Sequence, residues 1–189
     1  MFDMISTGLS DIGLTRKNNE DAFFIKNPLL IVADGMGGAV AGEIASSTAI
    51  ETISTLLKNI KHTSDDEITE AVRNAILQAD IDIKEKTRQK PELKGMGTTI
   101  VTGLHLGDRL LLGYVGDSRA YILTQNSEKI GQSRLRESPQ FNSTAETAVL
   151  QAVTADSKKP AIKEDSIRRV TDDHSVVMDL VKSGVITED

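Results

Sequence analysis

Leu29-Leu30-Ile31-Val32-Ala33-Asp34-Gly35-Met36-Gly37-Gly38 runs five apolar residues into a carboxylate and then into a loop containing three glycines. A short apolar run bounded by glycine reads as a buried β-strand, with Asp34 at its end. Gly35, Gly37 and Gly38 permit positive φ and let backbone approach an ion or a phosphate without side-chain interference. A strand end holds its carboxylate rigidly while neighbouring carbonyls face the same point. Mg²⁺ and Mn²⁺ favour oxygen-rich surroundings of this kind. An Asp-Gly pair at a strand end is also a common plain turn, so this stretch alone leaves both readings open.

The segment just upstream shifts the balance. Arg16-Lys17-Asn18-Asn19-Glu20-Asp21 precedes the apolar Ala22-Phe23-Phe24-Ile25, which places Glu20 and Asp21 where another strand begins. Strands over residues 21–25 and 29–34, separated by Lys26-Asn27-Pro28, form a hairpin that sets Asp21 near Asp34. Neighbouring carboxylates in a partly buried site cost several kcal/mol of repulsion and desolvation unless a cation compensates. A bound metal removes that cost.

Later in the chain, Gly95-Met96-Gly97-Thr98-Thr99-Ile100-Val101 and Gly113-Tyr114-Val115-Gly116-Asp117-Ser118-Arg119-Ala120-Tyr121 repeat the association of glycine, small residue and strand. Asp117 is a third carboxylate in such a setting, readable either as a metal ligand or as a turn residue. His174 admits two readings, a pH-sensitive acid or the residue before a helix capped by Ser175 and continued by Val176, Val177, Leu180 and Val181. His62 and His105 fall at a helix end and a strand end without ligand-type partners nearby.

Periodicity supplies the rest of the architecture. Ala41, Ile44, Ala45, Thr48, Ala49, Ile53, Leu56 and Leu57 recur at helical spacing, as do Ile68, Ala71, Val72, Ala75, Ile76, Ala79 and Ile83. Ser64 with Glu67 forms a capping box for the second helix, and Pro91 marks its exit. Strands are expected over 97–106, 109–115 and 118–124, joined by the turn pairs Gly107-Asp108 and Gly116-Asp117. Helices grouped between two sets of strands, and covering a sheet, give an α+β layered fold.

The 189 residues suit one domain, residues 1–189, and 39% apolar content is ordinary for a globular chain. The absence of cysteine excludes disulfide and thiolate chemistry and suits a reducing cytoplasm. No signal peptide or membrane-spanning run is visible, so no membrane partner is expected. A formal net charge of −6 argues against nucleic acid, whose phosphates require clustered Lys and Arg. A nucleotide loop at Gly35 to Gly38 is weak, because no Lys-Ser or Lys-Thr pair follows.

Taken in order, the motifs resemble those of the metal-dependent type 2C serine/threonine protein phosphatases in their bacterial form. They are Arg16 with Asn19-Glu20-Asp21, then Val32 to Gly38 with Ala41-Gly42-Glu43, then Gly97-Thr98-Thr99, then Val115 to Ala120, then Asp173-His174-Ser175. The resemblance implies two packed antiparallel β-sheets flanked by helix pairs, and hydrolysis of phosphoserine and phosphothreonine in proteins. It implies that Asp34 bridges two Mn²⁺ or Mg²⁺ ions, that the Gly35 carbonyl ligates one, and that Glu20 and Asp21 hold metal-bound waters. Asp117 matches the aspartate that helps bind a third ion. Ions roughly 3.5 to 4 Å apart would lower the pKa of a bridging water for in-line attack on phosphorus. Arg16 would clamp the phosphate, since its planar fork matches phosphoryl oxygens. Met36 stands where animal members carry a candidate acid histidine, so the leaving group would take its proton from water or elsewhere. A phosphoprotein substrate is implied, with a cognate kinase as a further partner.

Two features depart from that pattern. A polar segment at about 132–166 intervenes before Ile167-Arg168-Arg169-Val170-Thr171. It reads as a loosely docked surface insertion or as a regulatory element, with Ser143 and Glu146 capping one short helix through Ala148, Val149 and Val153. The chain also stops at Asp189, ahead of the late aspartate motifs that complete the family's metal pair. The expected fold is therefore incomplete at the C-terminus, and a catalytically impaired module that binds a phosphoprotein or regulatory partner is the alternative function.

Overall fold

The computed structural model describes residues 4–38, 41–60, 64–107, 109–124, 134–137, 149–154 and 166–174. The expected hairpin is present. Strands β1 (Asp21–Lys26) and β2 (Leu29–Met36) pair antiparallel, with Asp21 opposite Asp34 and Lys26 opposite Leu29. The two residues left to turn the chain are Asn27 and Pro28, joined by a cis peptide bond.

Two helices follow, α1 (Ala41–Leu57) and α2 (Asp65–Gln89). The capping box forms as the sequence predicts: Ser64 Oγ accepts from Glu67 N, and the Glu67 carboxylate accepts from Ser64 N at 3.0 Å. Pro91 opens a short 3-10 turn, Pro91–Leu93, that ends the helical run. The chain then re-enters the sheet through β3 (Gly97–Thr98), β4 (Ile100–His105) and β5 (Arg109–Val115). Strand β6 (Tyr121–Thr124) pairs antiparallel with β9 (Ser166–Arg169) in a separate two-stranded sheet.

Within 132–166 the structure departs from the expected short helix. Arg134–Glu137 (β7) and Val149–Thr154 (β8) are strands that extend the main sheet, whose order is β1-β2-β4-β5-β8-β7. Strand β8 pairs with β5 from Arg109↔Thr154 to Tyr114↔Val149. Val149 and Val153 therefore belong to a strand, not to the short helix that the spacing suggested. The local pattern is weak, and pairing with a strand some forty residues earlier decides the conformation. The capping residues Ser143 and Glu146, His62, Asp108, and the helix and terminal residues expected over 175–189 lie outside the described residues.

The core lies between the sheet and the helix pair. Alternation along β2 sends Leu29, Ile31 and Ala33 inward, where they meet Ala41, Ala45, Ala49, Ile53 and Leu57 of α1. The alanines recur every four residues and let that helix approach the strand closely. Ile68, Val72, Ala75, Ile76, Ala79 and Ile83 complete the layer from α2. Leu56, placed on the buried face by spacing, is 52% exposed. Each fully buried aliphatic side chain contributes roughly 1.5–3 kcal/mol, so this layer supplies most of the rigidity beneath the hairpin. A smaller cluster joins Leu110 and Leu112 of β5 to Ile122 and Val170, seating the two-stranded sheet on the other face. The arrangement is an α+β fold with two packed antiparallel sheets and, among the described residues, one helix pair.

Candidate active site

The end of β2 is fixed by an unusually close crossing. A Cβ on Gly35 would lie 2.2 Å from the Gly42 carbonyl oxygen and 2.5 Å from that of Glu20. Glycine at position 35 is thus demanded by proximity rather than by φ; of the three loop glycines, it is Gly37 that carries a positive φ, 136°. Gly42 packs just as closely, since a Cβ there would stand 2.7 Å from the Glu20 carboxyl carbon, but here the neighbour is the tip of a flexible side chain that could shift. The Glu20 carbonyl accepts from Gly35 N at 3.2 Å and from Ser46 Oγ at 2.7 Å, tying the start of β1 to β2 and α1 together. The Glu20 carboxylate accordingly rests against the first turn of α1, where the helix dipole favours negative charge.

Asp21 and Asp34 face each other across the hairpin. Asn19 Oδ1 accepts from Asp21 N at 3.0 Å and its amide donates to Ser10 Oγ at 2.7 Å, which fixes the entry into β1. On the other side, Asp34 N donates to Thr99 Oγ1 at 3.1 Å while Thr99 N donates to the Asp34 carbonyl at 2.9 Å. Thr98 Oγ1 donates to that carbonyl as well, at 3.0 Å. The Asp34 backbone is therefore held in place opposite Asp21.

The electrostatics follow from this geometry. Burial, then the charge of Asp21 and a hydrogen bond with its carboxyl, push Asp34 above the ordinary carboxylate range; Arg16 pulls the other way, and Asp117 adds to the rise. Arg16, Asp21 and Asp117 thus all act on Asp34 although they come from a loop, a strand and a distant turn. Unpaired negative charge concentrated on rigid backbone fits a divalent cation. The structure brings together four of the six residues singled out in the sequence. Gly35 serves beside them through close backbone packing, and Glu20 sits at the base of the site against Gly42. Among the described residues, no three acidic or histidine side chains form a ligand cluster for an ion by themselves.

Asp117 lies in the turn from β5 to β6. Gly116 adopts φ 96°, and its Cβ would meet Thr99 Cγ2 at 2.7 Å. Ser118 Oγ is 2.6 Å from Thr99 Oγ1, which accepts from Asp34 N, so two hydroxyls link the Asp34 backbone to the residue after Asp117. Thr99 also belongs to the site, and the only hint of it in the sequence is the Thr-Thr pair after Gly97. His174 sits with its ring stacked on Tyr114, centroids 5.3 Å apart, and its N–H donates to the Gly116 carbonyl at 2.9 Å. A cleft of about 320 Å³ opens beside the carboxylate pair, lined by Leu9, Ser10, Phe23, Val32 and Ser118 among others.

Residues 15–168 match the protein phosphatase 2C family. The chain is 40% identical over 118 residues to the serine/threonine protein phosphatase PstP of Mycobacterium tuberculosis, a match that covers 60% of this chain and 22% of the relative. It is 27% identical over 186 residues to the serine/threonine phosphatase stp of Listeria innocua, covering 95% of this chain and 58% of the relative. The crystal structure of the catalytic domain of PstP in complex with two manganese ions superposes with a TM-score of 0.67 at 29% identity, covering 95% of this chain and 60% of that one. The chain therefore spans less than two thirds of the length of these relatives. The chain belongs to the protein phosphatase 2C family.

Proposed function

We propose that this chain, as a protein phosphatase 2C family member, takes part in metal-dependent hydrolysis of phosphoserine and phosphothreonine in proteins. The observation that carries the reading is the registered pair Asp21 and Asp34 with Asp117 beside it, an arrangement that leaves Asp34 harder to ionise than an ordinary carboxylate. Mn²⁺ or Mg²⁺, two ions or three, would supply the activated water and neutralise the phosphoryl charge. Asp34 would hold them from the hairpin, Asp117 from the facing turn and the Gly35 carbonyl directly, with Glu20 and Asp21 holding their bound waters. Arg16 is the exposed cation at this site and would grip the phosphoryl oxygens with its two-pronged guanidinium. Met36, 65% exposed at the end of β2, brings no acid, so the departing serine or threonine oxygen takes its proton from solvent.

The substrates in this reading are Ser/Thr-phosphorylated proteins, with a cognate kinase supplying them. The setting that suits a chain without cysteine is a reducing cytoplasm. Among the described residues no helix is long and apolar enough to cross a membrane. A second reading has one observation in its favour: no complete ligand cluster forms among the described residues. In that reading the retained half-site binds a phosphoprotein or a regulatory partner without turning it over.

The two readings part in a single assay. Hydrolysis of an aryl phosphate is followed with and without Mn²⁺, for the chain and for Asp34→Ala. Mn²⁺-dependent turnover that the variant loses supports the enzyme. Equal, negligible rates with and without the ion support the binding module.

A further inference from the structure

Asp117 is exposed at the tip of a turn, and a turn tip holds its direction only if something fixes it from outside. The segment 170–174 does so residue by residue. Val170 N donates to the Ala120 carbonyl at 2.9 Å, Ala120 N to Thr171 Oγ1 at 3.1 Å, Asp172 N to Tyr114 Oη at 3.2 Å, and His174 N to the Gly116 carbonyl at 2.9 Å. At the centre is Asp173, whose side chain is only 6% exposed. Arg119 Nε donates to both of its oxygens, at 3.0 and 3.2 Å, and Arg119 Nη2 donates to Oδ2 as well. Arg169 stands 3.6 Å away as a second cation.

We propose that Arg119 and Asp173 are positioning residues for Asp117: their two-pronged pair, buried at Asp173 and half exposed at Arg119, two residues along the turn, aims the Asp117 carboxylate at the Asp34 site. This inference rests on the reading of Asp117 as part of the cation site. The turn is held on both sides. Thr99 and Ser118 tether it to Asp34, and Asp173 braces its far side through Arg119. Neither Arg119 nor Asp173 would itself be a ligand; the His174 backbone N–H holds the Gly116 carbonyl and Ser118 meets Thr99, while the Arg119–Asp173 pair fixes the chain just after Asp117 and anchors the segment that carries His174. Groups that orient ligands in this way typically change metal affinity 10- to 100-fold when removed.

The test is Mn²⁺ binding to the full chain, read from the electron paramagnetic resonance of free Mn²⁺, together with the melting temperature in EDTA. The variants are Asp117→Ala, Asp173→Asn, the double variant, and Arg119→Lys, which keeps the charge at a half-exposed position. Asp173→Asn is expected to weaken Mn²⁺ binding about tenfold, and the double variant to bind no more weakly than Asp117→Ala alone. Arg119→Lys should fall between, and it serves if Asp173→Asn does not fold. A lower melting temperature with Mn²⁺ affinity intact, or losses that multiply in the double variant, overturns the positioning role. If Asp117→Ala itself leaves Mn²⁺ binding unchanged, the assignment of Asp117 to the site fails first, and the inference with it.

Discussion

Asp34 and Asp173 are both held in place by neighbouring chain, yet their surroundings have opposite sign. Asp173 sits between Arg119 and Arg169, and the Arg119 hydrogen bonds above all hold its carboxyl below the ordinary value of 3.8. Asp34 sits beside Asp21 and near Asp117, and burial with those charges raises it above the same value. One carboxylate is satisfied within the fold; the other is left with an unmet need for positive charge. A satisfied ion pair marks structure, whereas rigid and unsatisfied like charges mark a place where a cation belongs.

The largest expected effect separates the two at the level of function. Asp34→Ala should lower Mn²⁺-dependent phosphate hydrolysis by at least about 100-fold, while the melting temperature in EDTA does not fall. A variant that loses both alike would erase the contrast. Asp173→Asn should do the reverse in the absence of metal, costing about 2 kcal/mol in denaturant unfolding at neutral pH. That figure is that of hydrogen bonds to a charged group, and it falls below the 3–5 kcal/mol of a fully buried pair because Arg119 is half exposed.

Acid should act on the two in opposite senses. The Asp173 contribution is present above pH 3.8 and lost as pH falls through its depressed folded value. The Asp34 penalty is present above its raised folded value and relieved as pH falls through it toward 3.8. In EDTA at neutral pH, Asp34→Asn should therefore be slightly more stable than the native chain, by a few tenths of a kcal/mol given its exposure. The gain should vanish below pH 3.8. Unfolding curves at three pH values check both signs, and a gain that persists in acid would show that charge repulsion is not its cause.

The hairpin, both helices and the capping box were legible because each is written in neighbouring residues: alternation, a 3.6 period, a serine three places before a glutamate. So were Asp21 and Asp34, adjacent in a two-residue turn hairpin. What escaped reading depends on distant partners. Arg134-Leu135-Arg136-Glu137 has the charge of a solvated loop, and the same composition suits the edge strand it forms. Arg119 and Asp173 lie 54 residues apart, and no local pattern announces their pairing. Read in sequence, Gly35 stands for freedom of φ, whereas its need comes from a helix that returns to touch it at Gly42.

The central claim is that carboxylates on the hairpin and the facing turn converge to hold divalent cations. Crystals of the chain grown with Mn²⁺ and measured at the manganese absorption edge test it most directly. The account predicts an anomalous peak within coordination distance of the Asp34 carboxylate and within reach of Asp21 through a bound water, bordered by Asp117 and missing from Asp34→Ala crystals. Clear density for those side chains with no peak between them, or with the two carboxylates turned apart, would contradict it.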